Sequence, residues 1–144
     1  MPFRLVEHTA DLGIEATGQS REEALAAAAD GLTAVLTGRT GTVHGMPERE
    51  LTFSVEAPDA DALVVAFLSE LLWSFESEDL LWMGGGVSLG ASRDGILRLE
   101  ARGNVTRYDP SRHGRGVEVK AVTYHDVALR RDGSGWLLRA LLDI

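Results

Sequence analysis

The sequence contains no cysteine, and this absence limits the chemistry available to the protein. Disulfides, thiolate metal sites and thiol nucleophiles are all excluded. No apolar run approaches the roughly 20 residues that a membrane-spanning helix needs. The motifs of phosphate-binding loops, dinucleotide-binding folds, serine hydrolases and zinc peptidases are also missing. Any metal is therefore expected to be held by oxygen or imidazole ligands, and none of these enzyme classes is indicated.

Basic residues are few, and they are concentrated in one segment. The formal net charge is −8, and residues 1–101 hold 17 acidic side chains against six basic ones. Residues 102–115 hold one acidic side chain and four basic ones, which are Arg102, Arg107, Arg112 and Arg115. An acidic protein cannot neutralise nucleic-acid phosphates over a broad surface, so direct RNA or DNA binding is disfavoured. A partner protein is the more natural expectation.

The length and composition are those of one ordinary globular domain. The chain has 144 residues, of which 44% are hydrophobic and 25% charged, and domains commonly hold roughly 100 to 150 residues. The first residues have a strand-like pattern and lack the features of a signal peptide. We expect a single domain over residues 1–144, in the cytoplasm, without membrane contact and as a monomer.

Hydrophobic periodicity predicts an α+β fold in two layers. Residues 3–8, 12–17 and 50–57 alternate as strands do. One helix is predicted from the cap at Ser20 to Gly38, and a second from the cap at Asp59 to about Phe75. Further strand-like runs, separated by turn sequences, lie at 80–90, 95–105, 117–123, 126–131 and 136–143. The pattern predicts two helices and a mixed or antiparallel sheet of about eight strands.

The two ends of the sequence hold the first candidate site. Residues 136–144 are almost all apolar, so we expect them to be tied into a sheet. If an N-terminal strand lies beside them, Asp11, Asp143 and the carboxylate of Ile144 meet at one point, with His8 nearby. Such a cluster of oxygen ligands suits calcium, magnesium or manganese. In the alternative interpretation, Asp11 only turns the chain and His8 is an ordinary hydrogen-bonded histidine.

A second group of polar residues lies between Tyr108 and His125. Lys120 is the only lysine beside 13 arginines, and its compact ammonium suits a carboxylate or phosphate that a planar guanidinium fits badly. Strand alternation predicts that Glu118 and Lys120 share one face while His125 lies on the other. A solvated Glu118–Lys120 pair is the alternative. Further upstream, the glycine run 84–86 precedes a strand-like segment and is typical of a bulge or a close backbone approach.

Several segments, in order along the chain, resemble the archease family: residues 7–14, 68–73, 108–113, 118–125 and 142–144. The resemblance implies a non-enzymatic activator of an RtcB-type RNA ligase. Such a protein promotes guanylylation of the ligase and its multiple turnover in tRNA splicing and RNA repair, and meets RNA only indirectly. The resemblance also implies a small strand-helix-strand-strand-like module within a larger β scaffold. The glycine run and the arginine-based segment 102–115 depart from the family pattern.

The same resemblance assigns roles to individual residues. It implies a metal site at Asp11, Asp143 and the carboxyl group of Ile144, with calcium as the expected ion and magnesium or manganese as alternatives. It implies supporting or partner contacts for His8, Lys120 and His125.

Two functions of other classes fit the same residues. One is a metal-dependent hydrolase with Asp11 and Asp143 as ligands and His8 or His125 as the base. The other is a chaperone-like binding module, whose action would not depend on Asp143.

Overall fold

The described residues form two antiparallel sheets and three helices. The structure, a computed structural model, describes residues 2–7, 11–41, 43 and 45–144, and the description of Glu7 is limited to its backbone. The elements in chain order are β1 (Phe3–Glu7), β2 (Asp11–Gly18), α1 (Arg21–Thr37), β3 (Arg49–Ala57), α2 (Ala60–Glu78), β4 (Leu80–Ala91), β5 (Leu97–Arg107), α3 (Pro110–His113), β6 (Ala121–Asp132) and β7 (Gly135–Asp143). One sheet has the strand order β1-β2-β7-β6, and the other has the order β3-β5-β4. The predicted α+β class is confirmed.

The two long helices begin at the residues that the sequence predicts. The hydroxyl of Ser20 accepts a hydrogen bond from the Glu23 amide at 3.1 Å, and Gly38 closes α1 with a φ of 70°. The carboxylate of Asp59 likewise accepts from the Ala62 amide at 2.8 Å. These bonds satisfy amides that have no partner within the first turn of a helix. Helix α2 extends beyond the predicted end to Glu78, where Asp79 adopts a left-handed conformation.

Both long helices pack against strands of both sheets. Helix α1 contacts β2 and β4, while α2 contacts β3 and β6. Apolar side chains from the two sheets and the two helices form one continuous core, in which Phe67 stacks on Phe53 with 6.0 Å between ring centroids. Because α1 is covered from both sides, most of its residues are buried, including small ones such as Ala28 and Gly31. No helix in the described residues is long and apolar enough to cross a membrane.

The C-terminal segment is tied into the sheet, as its apolar sequence predicts. Strand β7 lies between β2 and β6, so it has hydrogen-bonded neighbours on both sides. Alternate residues of these strands point into the core: Leu12 and Ile14 on β2, and Ala140 and Leu142 on β7, are buried. The residues between them therefore face away from the helices.

The structure differs from the prediction in the segment before β7. The runs 117–123 and 126–131 were expected to be separate strands, but β6 begins only at Ala121 and continues to Asp132. Its pairing with β7 shifts register between Thr123 and Ala128. Residues 114–120 form no regular element, and Val119 and Val122 are both buried. The predicted alternation of faces from residue 118 to 125 is therefore wrong, because strict alternation requires an uninterrupted strand.

Two further differences concern the number of strands and a short helix. The described residues contain seven strands in two sheets, where the sequence predicts about eight. Residues 110–113 form one helical turn, α3, within the segment predicted as a loop. The bulge predicted at the glycine run is confirmed, since the register of β4 against β5 shifts between Trp82 and Gly84.

Candidate functional site

Asp11 and Asp143 lie directly opposite each other on adjacent strands. In the antiparallel register of β2 and β7 they are partners, and on its other side Asp143 is opposite Ala121 of β6. The amide of Lys120 donates a hydrogen bond of 2.7 Å to the carbonyl oxygen of Asp143. Directly opposite residues have Cβ atoms about 4.5 to 5.5 Å apart. The sequence prediction required an N-terminal strand to lie beside the C-terminal one. This condition is met, because the register brings the two aspartates together.

The pair lies at the end of the sheet, on the face away from the helices. The neighbouring residues Leu12 and Leu142 are buried in the core, and successive side chains of a strand point to opposite faces. Both aspartates are half-buried, and Ile144, the next residue after the pair, is exposed. We refer to Asp11, Asp143 and the carboxyl group of Ile144 as the acidic tip.

Nothing in the described part of the chain neutralises the two aspartates. Neither side chain takes part in an ion pair or a side-chain hydrogen bond with a described residue. Like charges directly opposite each other on adjacent strands are destabilising. A cation or a basic group of a partner would relieve this repulsion.

The donor set of the acidic tip fits a hard cation. All its donors are carboxylate oxygens, which calcium, magnesium and manganese prefer. The described residues contain no group of three or more histidine, aspartate or glutamate side chains that could hold a metal ion. Side chains alone therefore supply two ligands here, and the carboxyl group of Ile144 would have to supply the third.

The structure describes two of the three residues that are expected to support the site. His8 lies outside the described residues. Lys120 is joined to Asp143 through its backbone amide, and its side chain is exposed. His125 is exposed within the irregular part of β6, where its Nε2 atom lies 3.4 Å from a carboxylate oxygen of Asp126. The structure shows no side-chain contact of Lys120 or His125 with the aspartate pair.

Sequence reasoning missed a charged cluster farther along the same face. Glu15 lies opposite Arg139 in the register and accepts hydrogen bonds from its Nη2 and Nε atoms at 2.9 and 3.2 Å. The guanidinium of Arg4 also contacts Glu15, and it lowers the pKa of that carboxyl more than Arg139 does. A cavity of about 250 Å³, which Glu15 and Arg139 line together with Asp126, extends along this face. The sequence alone does not reveal this cluster, because the cluster depends on the strand register.

The four arginines of segment 102–115 are distributed over several elements. Arg102 lies on β5, and its Nε atom is 3.0 Å from a carboxylate oxygen of Glu50 on β3. Arg107 ends β5, Arg112 lies on α3, and Arg115 follows that turn. One of the four positive charges is therefore paired with an acid of the neighbouring strand.

These observations define a class of protein: an α+β domain with a half-buried pair of carboxylates at one end of a four-stranded sheet. A model of the archease protein family (MTH1598/TM1083) matches residues 3–144. The chain belongs to the archease family.

Individual relatives support this assignment. The chain is 32% identical to protein archease of Methanosarcina mazei over 142 residues, which cover 99% of this chain and 95% of the relative. It is 34% identical to protein archease of Pyrococcus furiosus over 140 residues, or 96% and 95% of the two chains. These matches extend over nearly the whole chain.

Two solved structures have a similar fold. The solution structure of protein 1598 from Methanobacterium thermoautotrophicum superposes with a TM-score of 0.76, at 25% identity and 99% coverage of both chains. A crystal structure from Thermotoga maritima, described as an archease and possible chaperone, has a TM-score of 0.58 at 21% identity, covering 98% of this chain and 96% of that one. The latter likeness concerns the fold alone.

Proposed function

We propose that this protein activates an RtcB-type RNA ligase and catalyses no reaction itself. In this proposal it promotes guanylylation of the ligase, so that the ligase turns over repeatedly in tRNA splicing and RNA repair. RNA is met only through the ligase. Membership in the archease family supports a role as a partner of another protein. The observation that carries the proposal is the pair of Asp11 and Asp143, which lie opposite each other without a neutralising group among the described residues.

The acidic tip is proposed to work with a divalent metal ion. Asp11, Asp143 and the carboxyl group of Ile144 would hold the ion, with calcium as the expected metal and magnesium or manganese as alternatives. Bound there, the ion supplies positive charge that attracts phosphate or carboxylate oxygens of the partner. His8, Lys120 and His125 are proposed as partner contacts around the tip. The exposure of Lys120 and His125 is compatible with that role.

Calcium binding predicts a change in thermal stability. Calcium chloride is expected to raise the melting temperature, because a ligand that binds only the native state stabilises it by about 2.7 kcal/mol at 100 times its Kd. Asp11→Asn should abolish the rise, and Asp132→Asn, at the far end of β6, should retain it. Differential scanning calorimetry at constant ionic strength, with magnesium and manganese in parallel, checks this. An equal rise in both variants would contradict a metal site at the tip.

The decisive experiment is a ligation assay with RNA in large excess over a cognate RtcB-type ligase. Without this protein we expect product formation to stop after about one turnover per ligase molecule. With it, we expect continued turnover and faster accumulation of the guanylylated ligase. No effect on a ligase that is competent for its first turnover would contradict the proposed function.

A chaperone-like role is the second candidate, because the similar Thermotoga maritima protein is described as a possible chaperone. The exposed aromatic side chains of Trp73 and Tyr124 offer apolar contact area for such a role. Suppression of the aggregation of unrelated proteins, unchanged by Asp143→Asn, would favour it. Loss of ligase activation in the same variant would favour the ligase.

A further inference from the structure

A second polar cavity lies between the loop after α1 and the turn α3. Its volume is about 310 Å³, and its lining includes the side chains of Thr37, Arg39, Thr40, Arg112 and His113. No carboxylate belongs to the described lining residues. The net charge of the protein is −8, so a cavity whose described lining holds two arginines and no carboxylate differs from the overall charge of the molecule.

The side chain of Arg39 is held against the backbone of Arg112. The Nη1 atom of Arg39 donates a hydrogen bond of 3.0 Å to the carbonyl oxygen of Arg112. Neither guanidinium forms an ion pair with a described residue. The acid nearest in sequence is Asp109, whose carboxylate accepts hydrogen bonds from the amide and hydroxyl of Ser111 at 3.0 and 2.8 Å. The positive charge at the cavity is therefore not cancelled by a direct contact within the described residues.

His113 adds a hydrogen-bond donor to the same cavity. Its side chain is only 7% exposed, and its Nδ1 atom accepts a hydrogen bond of 3.0 Å from the Asp109 amide. In the neutral ring the proton therefore lies on Nε2, a tautomer assigned from this hydrogen bond. Within the described part of the chain, Nε2 has no hydrogen-bond partner. Since His113 lines the cavity, this N–H is available to an acceptor that enters it.

The histidine is held in place by its neighbours. The rings of Tyr108 and His113 stack with 6.1 Å between centroids, and the hydroxyl of Tyr108 donates a hydrogen bond of 2.6 Å to the Gly114 carbonyl. Gly114 itself lies so close to Arg39 that an added Cβ would be 2.7 Å from the Nε atom. The His113 ring and the Arg39 side chain are thus positioned before any ligand arrives, which lowers the entropic cost of binding.

From these contacts we propose that the cavity binds a phosphate group. Two guanidinium groups and a histidine N–H present donors, and the fork of an arginine matches two phosphate oxygens at once. The hydroxyl of Thr40 adds a further polar group to the lining. The phosphate would belong to a nucleotide, or to an RNA end that the partner protein presents. This proposal does not depend on the proposed ligase activation, because it concerns a separate cavity.

A short stretch of chain connects the cavity to the acidic tip. The amide of Gly116 bonds to the Leu36 carbonyl at the end of α1, and the amide of Lys120 bonds to Asp143. Gly114 and Lys120 are six positions apart in the chain, which corresponds to at most about 20 Å of extended chain. One phosphorylated ligand, or one partner that carries it, could therefore contact both places.

The test is a nuclear magnetic resonance titration of the isotope-labelled protein at constant ionic strength. The probes are inorganic phosphate, GTP, and a short RNA with and without a terminal phosphate. We expect saturable shifts of the His113 Nε2 signal and of the Arg39 and Thr40 amides. Stronger binding of GTP would identify a nucleotide as the source of the phosphate. A requirement for the terminal phosphate of the RNA would identify a strand end.

Arg112→Gln removes one guanidinium and should weaken binding at least about tenfold, as expected for a lost charged hydrogen bond. The matched control is Arg93→Gln, which makes the same charge change in the exposed turn between β4 and β5 and should leave the affinity unchanged. Equal weakening in both variants would show a general charge effect and overturn the proposal. So would the absence of a saturable shift at His113 with every probe.

Discussion

Asp143→Asn is expected to abolish activation of the ligase while leaving the fold intact. The substitution keeps the shape of the side chain but removes the charge that faces Asp11 across the strand pair. Because that removal relieves like-charge repulsion, the free energy of unfolding should stay constant or rise slightly. Ligase turnover in excess RNA and thermal unfolding, measured on the same preparation, check the two halves of this prediction.

The control for this substitution is Asp132→Asn. Asp132 is an aspartate of the same sheet, but it is exposed and lies opposite Gly135 at the other end of β6 and β7. It should therefore support full turnover of the ligase. If Asp143→Asn unfolded the protein, the acidic tip would be a structural feature. If it folded normally and still activated the ligase, the charge of Asp143 would have no part in activation.

Gly85→Ala is expected to destabilise the protein strongly, whereas Gly86→Ala is not. A Cβ atom at Gly85 would lie 2.3 Å from the Arg102 carbonyl oxygen and 2.4 Å from the Gly103 Cα, which are backbone atoms of the paired strand. These atoms cannot move without breaking the β4–β5 pairing, so we expect a loss of about 3 kcal/mol or more, at the upper end of overpacking effects. A Cβ atom at Gly86 would meet nothing within 4 Å.

Urea unfolding of the two variants checks this contrast. Because both replace a glycine by alanine in the same strand, the change in the entropy of the unfolded chain is the same and cancels in the comparison. The difference between their midpoints therefore reports the steric conflict. Equal midpoints would mean that β4 and β5 can separate at Gly85 without cost, which would contradict the packing described here.

A tryptophan that the sequence analysis did not single out adds to this crowding. Trp82 is 5% exposed, and its ring would lie 2.3 Å from a Cβ atom at Gly103 and 2.9 Å from one at Gly85. The two glycines leave space for the ring on paired strands, as their register shows. The sequence predicts a bulge at the glycine run, but it does not show which glycine is required for packing.

The parts of the fold that the sequence predicts depend on local interactions. Ser20 and Asp59 cap their helices through hydrogen bonds to residues three positions ahead, so their effect is visible in a short window. The α+β class follows from the order of helices and strands along the chain. The division into two sheets does not, because it depends on contacts between elements far apart in sequence, such as α1 with both β2 and β4.

The candidate site likewise has a part that the sequence predicts and a part that it does not. The apolar sequence from 136 to 144 indicates that Asp143 is anchored in a sheet, and the structure confirms that it is opposite Asp11. The metal at this point and the roles of Lys120 and His125 remain predictions. The cavity at His113 could not be foreseen, because its donors come from segments about 70 residues apart that only the tertiary structure brings together.

The strand register has a practical consequence for the design of expression vectors. Residues added after Ile144 would emerge beside Asp11 and Asp143, since β7 ends at that pair. Residues added before Pro2 would emerge at the opposite end of β2, because Phe3 is paired with Ala16. An affinity tag at the C-terminus would therefore lie on the acidic tip, whereas an N-terminal tag would leave the tip accessible to the ligase.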